Sequence, residues 1–441
     1  MPRQGQPEYR LLAGRRGWAL GKVTRSRTRE DAQIRGKRYL IVNSEVSPFI
    51  EHANTFTSPV RDHKRMRKIF SPGLRLFRKV TTYMTKRRSA VAAVIASAAL
   101  ALTGFVSASS ATAAGVQVGV ILPDAASSAR WETADRVFLA AAFKKAGVTA
   151  DIQNANGDKA KFATIADQML AKGVKVLIMA GLDSPSTAAI QKKAAKSGVK
   201  TIDYDRLTLA GSASYYVSFD NVAVGKLQGQ GIKACLDAAG KKSAKIVYLN
   251  GSPTDNNATL FKQGYDSVLR PSIKSGAYTL VDDQAVPDWD NAKGGVIFEQ
   301  QLTKAGGTLD AVVSANEGLG LAAVAVLKKN GLNGKVCVSG QDATADGLAA
   351  VLTGDLSNTV YKGIKAQANA TADLAVALVK GKKVTTAKGK TNDGKRNVPS
   401  VLLVPVGITK ANVKVVIADG FQKRADVCKI ATEAVCKANG I

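Results

Sequence analysis

From Val116 onward, short apolar runs alternate with amphipathic stretches at a full period of about 25 to 30 residues, the pattern of parallel α/β structure in which a helix covers each strand. It predicts strands over Val116–Leu122, Ala150–Asn154, Val176–Ala180, Lys200–Tyr204 and Tyr215–Phe219, with helices over Arg130–Lys145, Lys161–Lys172 and Ser186–Ser197. Gly147, Gly173 and Gly198 stand where those helices should stop. The second half repeats the plan, with strands over Lys245–Leu249, Thr279–Asp283, Ala311–Ala315, Val336–Ser339 and Thr359–Tyr361. A patterned region of this length exceeds what one core supports, so the expected fold is α/β with two doubly wound parallel-sheet lobes.

In such sheets ligands sit beyond the carboxyl ends of the strands. The residues standing there are Arg130-Trp131, Asp205-Arg206, Asp255-Asn256-Asn257, Asn316-Glu317, Gln341-Asp342 and Tyr361-Lys362, with Trp289 on the loop after Asp283. Carboxylates and amides supply planar acceptors, Arg, Lys and Asn supply donors, and an indole covers an apolar face. That set suits a sugar, whose hydroxyls both donate and accept and whose C–H face is weakly apolar. Each residue also has a structural reading: Asp205 and Arg206 as a surface ion pair, Asp255 as the cap of a helix beginning near Ala258, and the tryptophans as core. Their shared position after strand ends favours the site. Neither Gly306-Gly307 nor Gly318-Leu319-Gly320 completes a phosphate-binding glycine pattern.

Upstream of the patterned region the sequence changes character. Met84, then Lys86, Arg87 and Arg88, an uncharged run from Ala90 to Val106 and the small residues Ala111-Thr112-Ala113 have the layout of a secretory signal. Cleavage after Ala113 is expected, giving a soluble exported protein in the periplasm or extracellular space. The apolar run is short for a membrane span and rich in Ala and Ser, so no stable membrane insertion is expected after cleavage. Residues 1–83 carry 19 Lys and Arg against 6 Asp and Glu with little apolar periodicity, and are expected to be a non-native, disordered upstream extension joined by a misplaced start codon; the other reading, a basic nucleic-acid-binding arm, would meet no nucleic acid once the chain is exported. The formal charge of +29 therefore overstates the functional part, which from Ser89 has 41 basic and 28 acidic residues spread without aromatic interleaving. Nucleic acid is not an expected partner.

Both histidines, His52 and His63, precede Met84. The remainder has no imidazole, which excludes Ser-His-Asp and Cys-His catalysis and every His-based metal site. The four cysteines, Cys235, Cys337, Cys428 and Cys436, favour disulfides in an exported protein. Three pairings are open; Cys428 and Cys436 can pair only if the helix expected there breaks, since eight residues of regular helix separate them by ~12 Å.

Seven ordered segments resemble the periplasmic sugar-binding proteins of ABC importers, and among them the D-xylose-binding members. They are Ser128-Ala129-Arg130-Trp131, Asp203-Tyr204-Asp205-Arg206, Ser218-Phe219-Asp220-Asn221, Gly251 through Ala258, Ser339-Gly340-Gln341-Asp342-Ala343, Thr359-Val360-Tyr361-Lys362 and Val398-Pro399-Ser400. The resemblance implies a periplasmic binding protein type I fold, with lobe 1 from residues 114–220 plus 363–400, lobe 2 from 221–362 plus 401–426, a three-crossing hinge and a tail over 427–441. It implies a non-enzymatic receptor that captures a monosaccharide, D-xylose foremost, and presents it to an ABC permease as a monomer without a cofactor or metal. It also implies that Arg130, Asp205, Arg206, Asn257, Asn316, Asp342 and Lys362 hydrogen-bond the sugar and that Trp131 and Trp289 wall it, with Asn256 as the alternative to Asn257. Two departures stand out: Ala285 lies where the family carries an aromatic, and Glu317 where it tends to have Asp. Two other readings are a repressor's ligand-sensing domain, which needs a helix-turn-helix that residues 1–83 do not show, and a secreted glycoside hydrolase.

Overall fold

A computed structural model describes residues 115–441; the expected signal and upstream extension lie outside the described residues. The chain begins with β1 (Val118–Leu122), α1 (Arg136–Ala146), β2 (Ala150–Asn154), α2 (Lys159–Ala171), β3 (Val176–Met179), α3 (Ser184–Lys196), β4 (Lys200–Tyr204) and β5 (Tyr215–Phe219). It continues through α4 (Asn221–Ala238), β6 (Ala244–Asn250), α5 (Asn256–Lys274), β7 (Tyr278–Ala285), α6 (Asn291–Lys304), β8 (Ala311–Ser314), α7 (Glu317–Lys329), β9 (Cys337–Val338), α8 (Ala345–Thr353) and β10 (Thr359–Tyr361). It closes with α9 (Ile364–Val379), β11 (Gly389–Asn392), β12 (Asn397–Leu403), β13 (Val406–Ile408), α10 (Lys414–Ala418), α11 (Arg424–Ala431) and α12 (Glu433–Ala438).

The first sheet has the order β11-β12-β5-β4-β3-β1-β2 and is parallel except for β11; the second is β7-β6-β8-β9, all parallel, with β10 and β13 pairing apart from it. Strands β1, β3 and β8 are buried throughout, and β6 at every residue but Lys245, as expected where helices cover both faces. The chain leaves the first sheet between β5 and α4, returns between β10 and α9, and leaves again between β12 and β13. Helix α9 packs on the first sheet through Ala368, Ala372 and Ala375, beside Ile202 and Val217.

Two expectations need correction. The segment expected to leave the first lobe at residue 400 stays in its sheet to Leu403, because Ser400–Leu403 pair in parallel with Tyr216–Phe219. The hairpin partner β11 had no apolar alternation to signal it. The helix expected unbroken over Arg130–Lys145 opens with a π-helical turn, Trp131–Asp135, before α1.

The cysteine question resolves through a broken helix. Thr432 takes φ 80 between α11 and α12, folding the chain back so that Cys428 and Cys436 pair with Cα atoms 5.8 Å apart. Cys235 on α4 pairs with Cys337 on β9.

Close approach of α4 and α5 matters most for the site. A side chain at Gly225 would meet the Phe261 carbonyl oxygen at 2.0 Å, and one at Gly264 the Val222 oxygen at 2.3 Å, so the two backbones touch where only glycine fits. The contact brings Asn221 Nδ2 within 2.8 Å of Asn257 Oδ1, setting Asn257 at the inner end of the cleft between the sheets.

Candidate functional site

The strand ends converge because each loop turns directly into a helix whose cap comes from the same loop. Asp255 caps α5 by accepting from Asn257 N at 2.9 Å, and Asn316 caps α7 by accepting from Leu319 N at 2.9 Å. Capping and cleft-facing roles are combined in these residues rather than being alternatives.

The cleft encloses about 330 Å³ including its mouth. It is lined by nine of the ten expected residues, Arg130, Trp131, Asp205, Arg206, Asn257, Trp289, Asn316, Asp342 and Lys362. Asn256 is the exception: it faces a separate small recess beside Gly181 and Asp183, because neighbouring helical residues point roughly 100° apart and Asn257 takes the inward direction. Ser127, Ser128, Asp255, Phe261 and Gln341 complete the lining.

Arg130 is the centre of the first-lobe half. Its Nε and Nη2 pair with Asp135 Oδ2 and Oδ1, both at 2.9 Å, and Nη2 also reaches Asp205 Oδ2 at 3.0 Å. The pair to Asp135 depends on the π turn. Residues five apart fall roughly 140° apart on a regular α-helix, whereas a turn closed by i→i+5 bonds brings them to one side. Reading the segment as a regular helix hid Asp135, which is fully buried and also accepts from Tyr204 Oη at 2.6 Å. The Arg130 guanidinium lies 4.3 Å from the Trp131 ring centroid and that of Arg206 at 5.5 Å.

Asp205 sits at φ 65, in the left-handed region, held by Tyr216 Oη and Ser218 Oγ donating to its carbonyl at 3.0 and 2.8 Å. Asn257 Nδ2 crosses from the second lobe to its Oδ1 and its carbonyl, both at 3.1 Å. Asp342 (φ 122) and Trp289 (φ 58) are likewise strained, so three cleft residues are fixed by their surroundings against backbone preference. Trp289 lies flat against the end of β6: a side chain at Gly251 would strike its ring at 2.0 Å, and its Nε1 donates to Asp255 Oδ2 at 3.2 Å.

Asp342 joins the lobes. Lys362 Nζ lies 3.1 Å from its Oδ1 and Arg130 Nη1 3.8 Å, while Ser128 Oγ donates to Oδ2 at 3.2 Å. Further contacts across the cleft are Arg206 Nε to Asp255 Oδ2 at 3.0 Å and Asn316 Nδ2 to the Ser127 carbonyl at 3.3 Å. The lining carries three cations, Arg130, Arg206 and Lys362, and three carboxylates, Asp205, Asp255 and Asp342, so its formal charge balances. Among the described residues no cluster of His, Cys, Asp and Glu could hold a metal.

The sequence pattern of the periplasmic binding protein domain family matches residues 118–383. The chain belongs to this family. Its curated relatives include the D-xylose-binding periplasmic protein of Haemophilus influenzae, 35% identical over 76% of this chain and 99% of the relative. A multiple sugar-binding periplasmic receptor of Rhizobium radiobacter is 33% identical over 77% of this chain and 99% of its own. Among solved structures, an ABC transporter solute binding protein from Clostridium phytofermentans with bound β-D-glucose superposes with a TM-score of 0.65 at 27% identity, covering 70% of this chain and 99% of that one. The fold is the two-lobed type I architecture, and the family comprises binding proteins, not enzymes.

Charge in this family member's cleft is tightly controlled. Burial alone would raise the Asp205 carboxyl, but Arg130, Lys362 and Arg206 hold it down at about 2. Burial pushes Asp255 above the usual carboxylate range, with Arg206 opposing. Burial also lowers the Arg130 guanidinium, yet Asp135 and Asp205 outweigh it and keep the cation. For Asp205 the native value lies below the unfolded one, so its stabilisation is present above pH ~4 and lost as pH falls toward 2. The size is roughly 2 kcal/mol at neutral pH. Denaturant unfolding of wild type and Asp205→Asn between pH 6 and pH 2.5 is expected to show a steep acid loss in the former and a shallower one in the latter; parallel curves refute the assignment.

Proposed function

We propose that this protein is an extracytoplasmic receptor that captures a monosaccharide, D-xylose foremost, between its lobes and delivers it to an ABC import permease. The observation that carries the reading is a buried cleft with balanced charge and acceptors still free. Gln341 Oε1 and Asp342 Oδ1 are buried without an aligned hydrogen bond, although Lys362 and Arg130 stand near the latter. Free acceptors beside donors of matched number suit a neutral polyol; an anion would meet three carboxylates. The named ligands of the relatives, xylose and other sugars, support the same class.

Binding and closure are coupled in this reading. Residues of both lobes line the cleft, so a sugar completes its hydrogen bonds only when the lobes are together and shifts the population that way. The signal-like segment over 84–113 supports export, and no helix among the described residues is long and apolar enough to cross a membrane. The receptor acts as a monomer and recognises its permease through the closed form.

The test is a sugar panel on purified residues 114–441, read by thermal unfolding and tryptophan fluorescence. D-Xylose at 100 times its dissociation constant is expected to add about 2.7 kcal/mol. A panel of pentoses and hexoses that leaves both signals unchanged sinks the proposal; a larger shift with another monosaccharide keeps the receptor and reassigns its sugar.

A further inference from the structure

Glu317 is fully buried and lies outside the cleft lining, yet its carboxylate gathers four hydrogen bonds from the loop that carries Asp342 and from β10. Ala343 N donates to Oε1 at 2.8 Å, and Thr344 N and Oγ1 donate to Oε2 at 2.8 and 2.5 Å. Thr359 Oγ1 completes the set at Oε1. An acidic residue in a helix's first turn ordinarily faces its own exposed amides. Here the side chain leaves α7 and reaches the amides that open α8 instead.

The surroundings are shaped for that reach. A side chain at Gly347 would lie 2.0 Å from the Glu317 carboxyl carbon, and one at Gly340 2.9 Å from its Cγ. Neither glycine has positive φ, so both are required by space for Glu317 and not by backbone conformation. The positive φ falls on the residues between them, Asp342 (122) and Ala343 (54), which are not glycine and need an external hold. The amides that Glu317 accepts from are those of Ala343 and Thr344, directly after the strained residue.

Building on the sugar-receptor reading, we infer that Glu317 is a positioning residue for ligand capture: its carboxylate fixes the strained Asp342-Ala343 backbone so that Asp342 faces both the cleft and the first lobe. One buried group thereby couples three cleft-bearing segments. Asn316 precedes it in sequence, the Asp342 loop is held by its oxygens, and Thr359 lies on the strand that leads to Lys362. Gly347 leaves the room that the Glu317 carboxyl occupies on its reach from α7.

A double-mutant cycle in D-xylose affinity tests this, because a purely structural role lowers stability without depending on Asp342. Glu317→Gln keeps the shape but points an amide N–H group at N–H donors. It is expected to weaken binding at least 30-fold in the wild-type background and less than threefold further in an Asp342→Asn background, titrated to high sugar concentration. Thr359→Val removes one donor at nearly constant volume and is expected to cost at least threefold, again only when Asp342 is present; it carries the test if Glu317→Gln does not fold. Equal losses in both backgrounds, or Glu317→Gln affinity within twofold of wild type, overturn the inference while the receptor stands. A wild-type protein that binds no sugar overturns the proposed function, and this inference with it.

Discussion

Asp342→Ala is expected to weaken sugar binding at least 100-fold while the protein still unfolds cooperatively. A loss of that size corresponds to about 2.7 kcal/mol, and two effects supply it. A hydroxyl that Asp342 would accept from is left unpaired in a buried site, which costs about 1–3 kcal/mol. The closed form also loses the carboxylate oxygen facing Lys362 and Arg130 and the one that receives Ser128 from the other lobe. Lys362, nearly fully buried with the lobes together, would then carry a charge with no partner at hydrogen-bonding distance. Opening the cleft lets water reach that ammonium, so the penalty falls on closure more than on folding. Calorimetric titration measures the affinity, and circular dichroism with thermal unfolding checks the fold. Affinity within threefold of wild type refutes the role of Asp342; loss of cooperative unfolding shows that its carboxylate is a folding requirement instead.

How far the sequence disclosed this site follows from what local pattern encodes. Strands Ala150–Asn154, Lys200–Tyr204 and Tyr215–Phe219 were legible to the residue because the regular alternation of strand and helix, with glycines where helices stop, brackets each of them, although Ala150–Asn154 is a half-buried edge strand. Position after a strand end was enough to find nine lining residues, since parallel sheets put those ends together whatever the intervening helices do. Asp135 was not legible: its partnership with Arg130 exists only on a π turn, and no composition marks one. Ser127 and Ser128 were missed for a different reason. Short hydroxyl side chains give no periodic signal, and Ser128 matters because closure brings Asp342 to it across 214 residues of chain. The choice between Asn256 and Asn257 turned on the rotation of a single helix residue, fixed by the Gly225–Gly264 crossing near the start of α4 and the middle of α5. Likewise the Cys428–Cys436 bridge needed a break at Thr432 that the surrounding helix-forming residues do not announce.

Arg130→Met is expected to be the most destabilising single substitution in the cleft, by about 3–5 kcal/mol, because it leaves buried carboxylates without their cation. Methionine retains much of the stem that packs beside Trp131, so the loss reports on charge more than on volume. Asp135 is the decisive partner. It is fully buried beneath the cleft and, without Arg130, keeps only the Tyr204 hydroxyl as a donor among the described residues. Asp205 is better protected, since Arg206 and Lys362 also hold its charge and Asn257 donates to it. Opening the lobes would hydrate Asp205 but not Asp135, which belongs to the first-lobe interior; the Arg130 effect therefore falls on folding, unlike that of Asp342. If the cause is the orphaned charge, neutralising it should restore stability even though a second native interaction is removed. Urea unfolding of Arg130→Met and of Arg130→Met with Asp135→Asn is expected to show at least half the loss recovered in the double variant. A double variant no more stable than the single one would mean that Arg130 contributes through packing and stacking on Trp131, and that the π turn does not exist to pair it with Asp135.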